Sequence, residues 1–145
     1  MTDVAGTDWA AVRAFILARL AEEEADARAA AGAHPSATWI AGRGFGDEGV
    51  IDDPDGDPVA LWAYVDAEDQ LVGLSAADVG HIARQGPAAT LARVVALRGL
   101  VGLHWSVIGN GENDDDRTLA KVTLLCVAAF WSDHADFQPE WVLSD

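Results

Sequence analysis

The chain has 145 residues, half of them hydrophobic, with a single cysteine and a formal net charge of −15. That length fits one domain with a modest core, and the composition excludes a collagen-like repeat, disorder throughout and a disulfide scaffold. A general nucleic-acid binder, or a protein held on an anionic membrane surface, needs cations that 24 acids against 9 bases do not supply.

The first residues, Met1-Thr2-Asp3, are acidic rather than basic and do not read as a signal peptide. Residues 8–31 read as a helix, because Trp9, Val12, Ile16 and Leu20 recur at helical spacing with Phe15 beside them. Thr7 is the expected N-cap, and Gly32 and Pro35 are the expected stop. Between 34 and 57, glycines alternate with Trp39, Ile40, Phe45 and Val50 ahead of the acidic turn 52–57, so short strands or an irregular loop are expected. Residues 58–65 read as a strand that pairs back with Gln70 to Leu74 through a turn at 66–69.

Ser75 and Asp78 have capping-box spacing and open a short helix to Arg84. Gly86 ends it, and Pro87 is a natural first residue for the next helix, 87–108, with a stripe of Val94, Leu97, Val101, Trp105 and Ile108. A polar, acidic loop at 109–116 follows. A last helix, 117–132, should bury Leu119, Val122, Cys126 and Ala129, with Leu125 beside them. Alternating βαβ units are absent, so the expected fold is α+β and mainly helical. It has a long N-terminal helix, a small antiparallel hairpin or sheet, and two to three C-terminal helices. One domain, 1–145, is expected, loop-rich at 35–57 and 109–116. No apolar run reaches about 18 residues without interruption, so no membrane span is expected.

The segment Gly44-Phe45-Gly46-Asp47-Glu48-Gly49 matches a dinucleotide-binding spacing. It opens no helix, and its acids would repel a pyrophosphate, so it reads as a glycine-rich turn. The acidic turn 52–57 fails as an EF-hand, since Ile51 and Trp62 fall where carboxylates are needed. Cys126 sits in an apolar run and reads as an inert buried thiol.

Residues 79–111 contain no acid and carry Arg84, Arg93, Arg98, His81 and His104. These arginines are a candidate anion or partner surface, or else pair with the surplus acids. Trp39, Trp131 and Trp141 are candidates for an aromatic partner surface or for core packing, and Trp9, Trp62 and Trp105 for core or hairpin positions. His81, His104, Asp133, His134 and Asp136 are the residues from which a zinc or similar metal site would be built, converging from three elements without any familiar local spacing. As simple structural groups they would cap and hydrogen-bond helix ends.

Three segments together resemble a known family. They are Leu17 to Ala30, the run from His81-Ile82-Ala83-Arg84 through Pro87 to His104, and Trp131-Ser132-Asp133-His134-Ala135-Asp136-Phe137 to Trp141. They resemble small uncharacterised actinobacterial and actinophage proteins classed as a domain of unknown function. In that family the second segment usually reads His-Ile-Ala-Arg-His-Asp-Pro, where this chain has Gln85 and Gly86. The resemblance implies no activity. It points to His81, Arg84, His104, Asp133 and His134 as positions to test, with the 81–84 turn docking against the 133–134 tail as one structural account.

The expected function is that of a non-enzymatic, acidic, cytoplasmic accessory protein without cofactor, acting on a protein partner or on itself, with no direct nucleic-acid or membrane contact. The alternatives are a metal-dependent hydrolase with ligands among the His/Asp set, and an acidic mimic of nucleic acid.

Overall fold

In the computed structural model, which describes residues 6–33, 37–43, 49–52, 54–56, 58–60, 63–65, 71–73 and 76–143, the fold is α+β and mainly helical. The helices are α1 (Trp9–Ala33), α2 (Ala76–Arg84), α3 (Pro87–Asn110) and α4 (Asp114–Ala128). The strands are β1 (Ile40–Arg43), β2 (Gly49–Asp52), β3 (Pro58–Ala60), β4 (Ala63–Val65) and β5 (Leu71–Gly73). The chain divides into two compact units, residues 1–22 with 94–145, and residues 23–93.

The first unit is helical. Asp8, rather than Thr7, caps α1: its carboxylate accepts from the N–H groups of Ala10 and Ala11 at 3.0 and 3.1 Å. A carboxylate there satisfies orphan donors and complements the helix dipole. The stripe on α1 is buried as its spacing predicts, with Val12, Phe15, Ile16 and Leu20 in the core and Trp9 partly buried against it. On α3, Val94 and Val101 are buried, while Leu97, Trp105 and Ile108 pack against the same core. Arg13 lies over the Trp105 ring at 5.0 Å and Lys121 over Trp9 at 5.5 Å, so both half-buried indoles are roofed by cations.

The turn from α3 to α4 is tight. Gly111 N–H donates to Val107 O at 2.8 Å, and a Cβ at Gly111 would stand 2.6 Å from that same oxygen, so only glycine fits. The acidic run expected in a loop here is instead the first turn of α4. The Asn113 side chain accepts from Asp115 N–H at 2.8 Å as N-cap, and Asp114, Asp115 and Asp116 face the positive helix end.

The phase of α4 differs from the expected one. Its buried residues are Ala120, Leu124, Leu125, Val127 and Ala128, while Leu119, Cys126 and Ala129 are exposed. Both faces of this helix are apolar by composition. The face carrying Leu124, Leu125 and Val127, with Ala120 and Ala128 among them, has the larger apolar surface and takes the core, and the face of Leu119, Cys126 and Ala129 is turned outward. Cys126 is therefore an exposed thiol, not a buried one.

The second unit holds the strands. The antiparallel order is β1-β2-β3, with Ile40 opposite Asp52 and Arg43 opposite Gly49, and an irregularity at Ile51/Asp52 where β2 meets β3. Gly56, in the turn before β3, has φ +87° and supplies the left-handed residue of that turn. The strand expected at 58–65 is divided: Pro58–Ala60 pairs with β2 as β3, and only Ala63–Val65 makes the expected hairpin, as β4–β5 with Tyr64 opposite Val72. Its turn at 66–69, most of the glycine-rich segment 44–49, Trp62 and the Ser75 cap lie outside the described residues. Gly49 begins a strand, which leaves no helix for a dinucleotide to bind. Ile51, Val79 and Ala27 are buried in this unit.

Helix α3, with 24 residues, is long and apolar enough to cross a membrane by length and composition, although little of its apolar stretch is buried. That differs from the expectation: Arg93 and Arg98 interrupt the run, but the stretch around them stays predominantly apolar.

Candidate functional site

The C-terminal segment singled out by its Asp-His-x-Asp-Phe pattern folds back on α1 within the first unit. After α4 the chain makes a 3-10 turn at Ala129–Trp131 and another at Pro139–Trp141. Backbone bonds from His134 N–H to Trp131 O and from Phe137 N–H to His134 O shape the stretch between them. His134, Phe137 and Trp141 then surround Phe15, with ring centroids 5.9, 5.9 and 5.2 Å away. Trp141, expected at a partner surface, is 4% exposed and belongs to the core. An indole next to two phenyl rings gains more from burial than from display.

The cation that meets this tail is Arg19, which is 8% exposed. Its guanidinium lies over Phe15 at 5.5 Å and donates to Glu22 Oε1 at 2.9 Å. It also donates to the His134 ring, 2.8 Å from Nδ1 and against Nε2, and stands 3.8 Å from Asp136 Oδ2. His134 Nδ1 in turn accepts from the Asp136 N–H. Sequence reasoning missed Arg19, although it lies four residues after Phe15 on the same helix face. Within this unit a tie of arginine, imidazole and carboxylate to the tail is made by Arg19 of α1. Its chemistry is that of a clasp, since every group in it touches another side chain of the same cluster.

The basic segment is divided among elements. His81 and Arg84 are exposed in the last turn of α2, where cations complement the helix dipole. Arg93 donates to Glu23 Oε2 at 3.0 Å and to Gln85 Oε1 at 2.9 Å, so it pairs with a surplus acid. Arg98 is half-buried on α3. Trp131 is partly buried against the core, edge-on to the exposed Phe130 at 6.1 Å.

Among the described residues, no three of His, Cys, Asp and Glu come together as a metal site would require. Within the first unit, His104 lines a hollow, Asp133 is exposed, and His134 is committed to Arg19 and Phe15. His81 stands on α2.

What the first unit does present is an apolar face. Leu119 is 64% exposed and Phe130 70%, with the Cys126 thiol exposed between them along α4. Residues 119 and 126 are seven apart, which keeps them on one face of α4, and Phe130 follows in the 3-10 turn Ala129–Trp131. Leu119 also borders a cavity of ≈ 260 Å³ lined by His104, Val107, Gly111, Asp116 and Ala120. Exposed acids stand at both ends of the stripe, Asp114 to Asp116 before it and Asp133 and Asp136 after it.

The model of a family of unknown function, DUF6221, matches residues 9–143. No curated protein and no solved structure matches the chain.

Proposed function

The chain belongs to this family of unknown function, and we propose that it is a non-enzymatic binding protein that engages a basic protein partner through the outward face of α4. The observation that carries this reading is the reversed phase of that helix: Leu119 and Cys126 are exposed on it, Phe130 is exposed in the turn that follows, and a cavity lies beside Leu119. A row of apolar groups rimmed by polar ones suits a protein interface better than it suits water. The rim is acidic and the whole chain carries −15. That charge favours a partner rimmed by lysine and arginine and disfavours a second copy of the same chain. A cytoplasmic setting, and the actinobacterial origin to which the His81 and Asp133 segments point, are part of the same proposal.

The test uses a synthetic basic amphipathic helix, with leucines along one face and lysines along the other, carrying a fluorophore. Anisotropy should rise saturably with the wild-type protein and fall away with added salt. A Leu119→Ser, Phe130→Ser variant should bind at least about tenfold more weakly, the size of a small hot-spot loss. Because both side chains are exposed, the fold should be little affected. Equal binding by the two proteins would overturn the reading. So would sedimentation showing a wild-type dimer that the double variant abolishes, since the face would then be covered by a second copy.

A further inference from the structure

The second unit contains a cavity of ≈ 240 Å³ that the α4 reading does not use. One wall comes from a single face of α1, where Glu23, Asp26, Ala27 and Ala30 fall at helical spacing. The two alanines leave room, and the two carboxylates bring charge. The opposite wall comes from Trp39, Pro87 and Thr90.

This wall is held by close fitting. A Cβ at Gly86 would stand 3.1 Å from Trp39 Cβ and 3.1 Å from Ala83 O, so a side chain there would push the indole out of place. Ala88 N–H donates to Ala37 O at 2.9 Å and ties the segment before Trp39 to the start of α3. Thr90 Oγ1 donates to Gln85 O at 3.1 Å. At the rim, Arg93 bridges Glu23 and Gln85 and answers one carboxylate. Asp26 has no ion pair among the described residues, so the cavity keeps a net negative charge.

An indole wall, apolar packing and surplus negative charge in one small cavity match one ligand class. We propose that this cavity binds an alkylammonium head group. Trp39 supplies the cation–π wall, and Asp26 supplies the counter-charge. An anion is opposed by both carboxylates. The volume is below that of cavities for drug-sized ligands, roughly 300 Å³ and upward, and suits a head group on a short chain. Such a group comes either from a free amine or from a lysine side chain on another protein.

The test is a titration of the ¹⁵N-labelled full chain with butylammonium chloride, following the Trp39 indole N–H resonance assigned with Trp39→Phe. That resonance should shift saturably, and sodium chloride at equal ionic strength should leave it in place. Asp26→Asn, an exposed substitution that the fold tolerates, should weaken binding by up to about fivefold, the range of an exposed ion pair. The remote Asp115→Asn should leave binding unchanged. A blocked Gly-Lys-Gly peptide that binds more tightly than butylammonium identifies a protein side chain as the source, and the reverse order identifies a free amine. A shift that never saturates, one that sodium chloride reproduces, or one that Asp26→Asn leaves unaltered would overturn the proposal. None of these readouts involves the α4 face.

Discussion

Replacing Trp141 by alanine tests the docking of the C-terminal segment most directly. Trp141 is 4% exposed and packs on Phe15 at 5.2 Å and Phe137 at 5.6 Å. Truncating a buried tryptophan costs about 3–5 kcal/mol, and the two lost aromatic pairs are part of that sum. Its neighbours Glu140 and Val142 are exposed, so the segment can partly relax and the lower half of the range is expected, about 3 kcal/mol. For a chain of this size that lowers the melting temperature by roughly 6–12 °C. The assay is urea unfolding followed by far-UV circular dichroism, with the slope m compared between proteins. A lower midpoint with unchanged m would show a stability loss from an intact native state. A change under about 0.5 kcal/mol, the usual size at an exposed position, would refute the docking and return Trp141 to the surface.

Three further outcomes follow from the same structure. Arg19→Met keeps the apolar stem over Phe15 and gives up only pairs to the exposed Glu22 and Asp136 and the contact to His134, so it should cost less than about 1 kcal/mol. Arg19→Ala also removes the packing and should cost about 2 kcal/mol, and equal costs in the same urea assay would show that charge dominates. Gly111→Ala should destabilise by about 1–3 kcal/mol because its Cβ meets Val107 O, whereas Gly102→Ala, whose Cβ meets nothing, should stabilise α3 by about 0.5–1 kcal/mol; thermal melts that rank them the other way would contradict the geometry of the α3–α4 turn. Cys126 should react fully with a thiol reagent in the native protein, and a thiol that reacts only after denaturation would place the Leu119 face of α4 in the core.

Much of the architecture was legible in the residues themselves, because local rules act within one element. The α1 stripe from Val12 to Leu20, the helix start at Pro87 and the β4–β5 pairing follow from periodicity and turn chemistry. The acidic turn at 114–116 was visible too, but a capping Asn113 converts that loop into the first turn of a helix.

Tertiary structure decided three matters that no local rule reaches. The phase of α4 depended on which of two apolar faces met the core, and the face of Leu124, Leu125 and Val127 did so where that of Leu119, Cys126 and Ala129 did not. The partner of His134 lay 115 residues away in sequence, on a helix whose arginine looked like any surface charge until the tail covered it. Trp141 and Trp131 were alike as aromatic residues near the end of the chain, and only their distance from Phe15 and the core made one buried and left the other half-exposed. Periodicity determines where a helix forms, because its hydrogen bonds are local. What each face meets is set by packing between segments far apart in the chain, and the surfaces proposed here for binding are the faces that packing left over.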